Sequence, residues 1–164
     1  MHVDRVDPPS IYDRIGVRRL INARGATTAV GGTLSDPRVM TAMAEAARAF
    51  VDLGELNAKV GEKIAEVTGA EAGYVTCGSC AGMAIAAAAC IAGTDPAAIR
   101  RLPDSSGLAN EIVIHRSHRI DYDQMYRLAG ATLIEIGNAQ QTREWELERA
   151  ITNQTAAVAY HSSP

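Results

Sequence analysis

The sequence predicts an α/β fold of three layers: a mostly parallel sheet with helices on both faces, preceded by an N-terminal arm and two helices. Three observations carry this. From Ala72 onward, short apolar runs alternate with helical stretches, the texture of repeated βαβ units. Upstream, two segments repeat apolar residues at helical spacing between start and stop signals. Polar and cationic residues gather just after the apolar runs, where an open parallel sheet collects its ligands.

The first stretch is irregular. "INARGATTAVGGTLSDP" is rich in Gly, and residues 1–34 read as an N-terminal arm. A helix over 36–50 follows in "SDPRVMTAMAEAARAF", with Ser35 or Asp36 as its cap and Pro37 in its first turn. A second helix over 53–68 repeats Leu53, Leu56, Val60, Ile64 and Val67 at helical spacing and stops at Gly69. The alternating region then runs strand "AGYVT", helix "SCAGMAIAAAACIAG", strand "EIVIH", helix "YDQMYRLAG", strand "ATLIEIG", helix "TREWELERAI" and strand "TAAVAY". Residues 35–164 thus read as one sheet-bearing domain of four strands with three helical crossovers. Between Gly93 and Asn110, "GTDPAAIRRLPDSSGLAN" reads as a surface excursion with a single helical turn.

Composition narrows the partners. Sixteen Lys and Arg against nineteen Asp and Glu leave a net charge of −3, without the broad basic field that drives binding to a phosphate backbone, so nucleic acid is not an expected partner. No apolar run reaches membrane-spanning length, and "MHVDRVDPPS" lacks the charged-then-apolar order of a signal peptide. A cytoplasmic protein with no membrane partner is expected. Cys77, Cys80 and Cys90 are an odd set clustered in one segment, which points to reduced thiols and away from a disulfide framework. Lys59 and Lys63 are the only lysines.

Residues after each predicted strand form the candidate site: Thr76, Cys77, Gly78, Ser79 and Cys80; Arg116, Ser117, His118 and Arg119; Gly137 and Asn138; His161, Ser162 and Ser163. Gly78-Ser79 leads into a helix whose free N–H groups and positive end favour an anion. Arg116, His118 and Arg119 add charge that complements a phosphate. The same letters contain Cys77-x-x-Cys80, so a thiol-disulfide oxidoreductase stays open beside the anion cradle, as does a non-catalytic phosphate-binding module. No metal is expected: Cys90 lies about three helical turns from the Cys77/Cys80 pair. As unpaired cysteines on an Ala-rich helix, Cys80 and Cys90 are expected to be small buried residues.

The blocks "YDRIGVRRLINARGATTAVGG", "MAEAARAFVDLGELNAKVGEKIAEVTGAEAGYVTCGSCAGMAIAAAACIAGTDPAAIRRLPD" and "NEIVIHRSHRIDYDQMYRLAGATLIEIG" resemble, in order, the N-terminal part of the selenocysteine synthase-like family. These are fold type I pyridoxal-phosphate enzymes, related to seryl-tRNA selenium transferase and D-glucosaminate-6-phosphate ammonia-lyase. The resemblance implies the first half of a fold type I major domain and pyridoxal 5'-phosphate as cofactor. It implies that Gly78, Ser79 and Cys80 hold the cofactor phosphate, that His118 lies near the pyridine ring, and that His161 and Ser162 face the cofactor from the other side. Asn22 and Gly31-Gly32 would belong to an arm reaching an active site, that of a partner subunit included. Cys77 and Cys80 depart from the family's small or hydroxyl residues, and Arg24 from its small residue.

The implied substrate is an amino acid or amino sugar acid, transformed by elimination or β-replacement, and the implied assembly is a homo-oligomer, a dimer or larger. Family members run to more than twice this length, and this chain stops before the family's pyridine-pairing acid and Schiff-base lysine. The expectation is therefore an N-terminal fragment, inactive alone, with an apolar helix face and a sheet edge left uncovered.

Overall fold

Residues 10–161 are described in the structure, a computed structural model, and the chain divides into two units, residues 1–52 and 53–164. In the first unit, helix α1 (Ile11–Arg14) opens with a capping box: Ser10 Oγ accepts the Asp13 N–H, and the Asp13 carboxylate accepts the Ser10 N–H at 2.6 Å. Helix α2 (Pro37–Ala46) takes Asp36 as its cap, with the Arg38 N–H donating to Asp36 Oδ1 at 2.8 Å. It ends at Ala46, short of the expected residue 50, because Arg48 and Ala49 bond back to Glu45 and Ala46 in tighter i to i+3 turns. Between these helices Asn22 stitches its loop together, donating to the Gly25 carbonyl at 2.8 Å and accepting from the Arg24 N–H at 2.8 Å.

The second unit begins with α3 (Leu53–Thr68) and continues through α4 (Ser79–Ala92) and α5 (Pro96–Arg101). Then come strand β1 (Glu111–His115), α6 (Gln124–Leu128), β2 (Thr132–Ile136), α7 (Glu144–Ala150) and β3 (Thr155–Ala159). The strands form one parallel sheet in the order β2-β1-β3. A parallel central strand is buried on both faces and reads as an unbroken apolar run; Ile112, Val113 and Ile114 are 2 %, 0 % and 2 % exposed. Ala87 and Ile91 of α4 pack with Ile112, Ala129 and Ala131 to make the core.

Three expectations are revised. The sheet has three strands among the described residues, not four: residues 72–76 form no ladder. The backbone of Val75 is instead taken up by α3, where Asn57 Nδ2 donates to the Val75 carbonyl at 3.1 Å and Asn57 Oδ1 accepts the Val75 N–H at 3.2 Å. A side-chain amide offers the same donor and acceptor pair as a neighbouring strand. Asn57→Ala is therefore expected to lower stability by about 1–2 kcal/mol, read from the denaturation midpoint, since both Val75 groups lose their partner.

The 93–110 stretch is not only a surface excursion. Ala98 of α5 is buried, Leu102 and Leu108 pack on the core, and Ser105 Oγ donates to the Gly130 carbonyl at 2.7 Å. Nor are Cys80 and Cys90 the small buried residues expected: Cys80 is half-buried and Cys90 exposed. Residues 85, 86, 89 and 90 form one exposed face of α4, opposite the stripe that carries Ala87 and Ile91. Since α4 is apolar all round, Ile85 on that face stays 47 % exposed, and Leu53, Leu56 and Val67 of α3 are likewise exposed. No described helix is long and apolar enough to cross a membrane.

Candidate functional site

Thr76 shapes the turn into α4. Its hydroxyl donates to the Gly78 carbonyl at 2.8 Å and accepts the Gly78 N–H at 3.4 Å. Gly78 then stands at φ 146°, ψ 168° as the N-cap, a conformation open in practice to glycine alone. Its carbonyl accepts the first helical bond, from the Gly82 N–H at 3.0 Å. The N–H groups of Ser79, Cys80 and Ala81 therefore have no intrahelical carbonyl to reach, and they sit at the positive end of a 14-residue helix. No side chain caps this end.

Parallel strands bring all their carboxyl ends to one edge, and a cavity of about 210 Å³ lies there. Ile114 near the end of β1, Ala159 at the end of β3, and His118, Tyr160 and His161 line it. Met83, one turn along α4 from Ser79, completes the wall on the helix side. Of the predicted site residues, His118 and His161 thus share one cavity, while Gly78, Ser79 and Cys80 form the start of the helix that borders it. Ser162 lies outside the described residues.

His118 ends a 3-10 turn, Arg116–His118, that follows β1 directly. Its ring lies 4.7 Å from the His115 ring and 4.8 Å from the Tyr160 ring, the latter edge-on at 86°. Its Nδ1 is buried without a hydrogen-bond partner, one of two such side-chain atoms among the described residues, with Thr142 Oγ1. A buried imidazole nitrogen left unpaired is costly and leaves room for a hydrogen-bond partner.

The anions that the arginines meet are carboxylates of the chain itself. Arg116 Nε meets Glu135 Oε2 at 3.2 Å, while Arg119 bonds to both Glu135 and the buried Asp123. The Arg119 guanidinium holds the Asp123 carboxyl below the usual aspartate range despite burial, and Asp123 in turn raises Arg119. Burial, aided by the Asp123 charge, pushes up the phenol of Tyr126, another residue of the cavity wall. Lys59 and Lys63 pair with Glu62 and Glu66 at 2.9 and 2.7 Å on the exposed side of α3, and neither lines the cavity. Cys77, Cys80 and Cys90 are free thiols.

His115, Tyr160 and Met83 escaped the sequence reading. His115 and Tyr160 stand at strand ends beside residues that were chosen, so strand-end position was the signal available for them. Met83 had none, because only the helix's placement against β3 directs it to the cavity.

No protein-family model matches this chain. It is 43 % identical over 159 residues to a Salmonella typhimurium protein named D-glucosaminate-6-phosphate ammonia lyase, covering 94 % of this chain and 43 % of that protein. It is 41 % identical over 158 residues to a Streptomyces protein named 5'-C-glycyluridine monooxygenase-decarboxylase, covering 93 % of this chain and 39 % of that one. A solved structure of D-glucosaminate-6-phosphate ammonia-lyase superposes with a TM-score of 0.91 at 43 % identity, again over 94 % of this chain and 43 % of the other. The chain thus spans less than half the length of the relatives it matches.

Proposed function

We propose that this chain, which is similar over nearly its whole length to D-glucosaminate-6-phosphate ammonia lyase, forms the cofactor-cradling part of a pyridoxal 5'-phosphate enzyme acting on an amino acid or amino sugar acid. The observation that carries this reading is the juxtaposition of an uncapped helix start at Gly78-Ser79 with a strand-end cavity into which His118 is set. The two relatives support the emphasis on cradling. Their names describe different reactions, yet each matches nearly all of this chain, so the shared region serves what the two enzymes have in common. Of elimination and β-replacement, the ammonia-lyase relative favours elimination.

The residues fit the group. An aromatic ring the size of benzene fills an apolar cavity of about 150 Å³, so a cavity of about 210 Å³ has room for one substituted ring. The N–H groups of Ser79, Cys80 and Ala81, with the Ser79 hydroxyl, complement a phosphate dianion. His118 supplies a ring face and an unpaired Nδ1, and His161 closes the cavity on the β3 side. When bound, the cofactor supplies an electron sink for charge developing on substrate carbon. Lys59 and Lys63 pair with Glu62 and Glu66 on the exposed side of α3 and do not line the cavity, so the contacts proposed for the cofactor here are non-covalent. A homo-oligomer is the proposed assembly, in line with the apolar helix faces left exposed.

Titration of the 164-residue chain with pyridoxal 5'-phosphate tests the reading. Ser79→Ala is expected to weaken binding about tenfold, the size of one hydrogen bond to a charged group. His118→Ala is expected to weaken it by about three- to tenfold through the lost ring contact. Wild-type affinity in both variants would sink the assignment.

A further inference from the structure

Glu135 of β2 accepts two arginines at once, Arg116 Nε on Oε2 at 3.2 Å and Arg119 on Oε1. Those two residues bracket the turn Arg116–His118, one opening it and the other closing it as its C-cap, with the Arg119 N–H on the Arg116 carbonyl at 3.4 Å. Both ends of the turn are therefore tied to one carboxylate on the neighbouring strand, and the buried Asp123 at the start of α6 ties Arg119 from a second side. The only side chain this turn sends into the cavity is that of His118.

Stability is a poor reason for the arrangement at Glu135. Its side chain is 37 % exposed and that of Arg116 64 %, and exposed ion pairs contribute little net free energy. What two such pairs on one acceptor do accomplish is to fix the turn in register with the sheet and so set the plane of the imidazole between His115 and Tyr160. A loosely held turn would let the ring leave that position, and sites tolerate little such slack.

We propose that Glu135 is a positioning residue for His118, acting through Arg116 and Arg119. Its importance to cofactor binding rests on the reading of the cavity given above, whereas the orientation itself does not.

The experiment follows the His118 imidazole cross-peak by NMR in the full chain, comparing wild type with Glu135→Gln, Glu135→Asp and Arg116→Gln. Ring currents from Tyr160 and His115 make that peak sensitive to a small rotation. Glu135→Gln and Arg116→Gln are expected to move it well beyond its linewidth while the melting temperature stays near wild type, and Glu135→Asp is expected to return it part of the way. An unmoved peak in the Gln variants overturns the proposal. Should Glu135→Gln fail to fold, Arg116→Gln decides alone, since its side chain is the most exposed of the set.

Pyridoxal 5'-phosphate affinity gives the second readout. Glu135→Gln is expected to weaken binding about three- to tenfold in the wild-type background and to have no effect in a His118→Ala background, as for two residues acting through one. An equal loss in both backgrounds overturns the proposal. Failure of the wild type to bind the compound would defeat the cofactor reading instead, and the NMR comparison would still decide the role of Glu135.

Discussion

Asp123→Ala is expected to cost up to about 3 kcal/mol of stability, a fall of up to roughly 6–12 °C in melting temperature for a chain of this size. The Asp123 side chain is 5 % exposed, and its carboxylate accepts from Arg119 with Arg127 Nη2 at 3.7 Å on its other oxygen. Removing it takes from Arg119 the more buried of its two carboxylate partners and leaves it Glu135 alone. Because Arg119 keeps its bond to Glu135 and some solvent access, at 29 %, the low end of the range for broken buried pairs is the upper bound here. The sign of the pH dependence follows from the lowered pKa of Asp123, whose first cause is the Arg119 hydrogen bond. Its contribution is present in full above the ordinary aspartate range and is lost as pH falls through the lower folded value. Wild type is therefore expected to lose more stability than Asp123→Ala between neutral and strongly acid pH. Parallel stability curves for the two proteins would show that the pair does not stabilise the fold.

Two glycines inside helices are expected to respond to alanine with opposite signs. At Gly61 in α3 a methyl group would lie 2.2 Å from the Gly73 carbonyl oxygen, a backbone atom that cannot swing away. Overpacking of this kind costs up to about 3 kcal/mol, against a helix-propensity gain of about 1 kcal/mol, so Gly61→Ala loses about 2 kcal/mol net. At Gly82 in α4 the nearest atom to such a methyl is Thr76 Oγ1 at 3.6 Å, an ordinary contact. Gly82→Ala is expected to gain up to about 1 kcal/mol. The Gly61 loss has a consequence for the site, because the same close approach of α3 to residues 73–75 leads the chain into the Thr76–Gly78 turn. Chemical denaturation of the two variants measures both effects, and a stabilised Gly61→Ala would refute the tight packing.

Local patterns carried much of the fold. The apolar run "EIVIH" matches β1 residue for residue, and the spacing from Leu53 with Gly69 beyond the end gave α3 its bounds of 53–68. These features are written within a few residues of where they act. The segment "AGYVT" has the same apolar texture as a strand, but its partner is an asparagine side chain 18 residues upstream, and no local pattern announces that. Charge misled for the same reason. Arg116 and Arg119 were legible as cations at a strand end, while the Glu135 that consumes them lies on another strand, 16 residues beyond Arg119. That His118 and His161 would meet at one cavity was legible because parallel topology sends every strand end to one edge, which a βαβ reading already implies.

The central claim is that the start of α4 holds the phosphate of a cofactor whose ring occupies the cavity beside His118. Comparing the affinity of the 164-residue chain for pyridoxal 5'-phosphate with its affinity for unphosphorylated pyridoxal tests this most directly. The phosphorylated form is expected to bind at least about tenfold tighter, the contribution of charge-assisted hydrogen bonds at a helix start. That preference is expected to collapse in Gly78→Val, since a side chain cannot adopt the φ of 146° that opens the turn. Equal affinity for the two compounds, or a preference that survives Gly78→Val, would contradict the account.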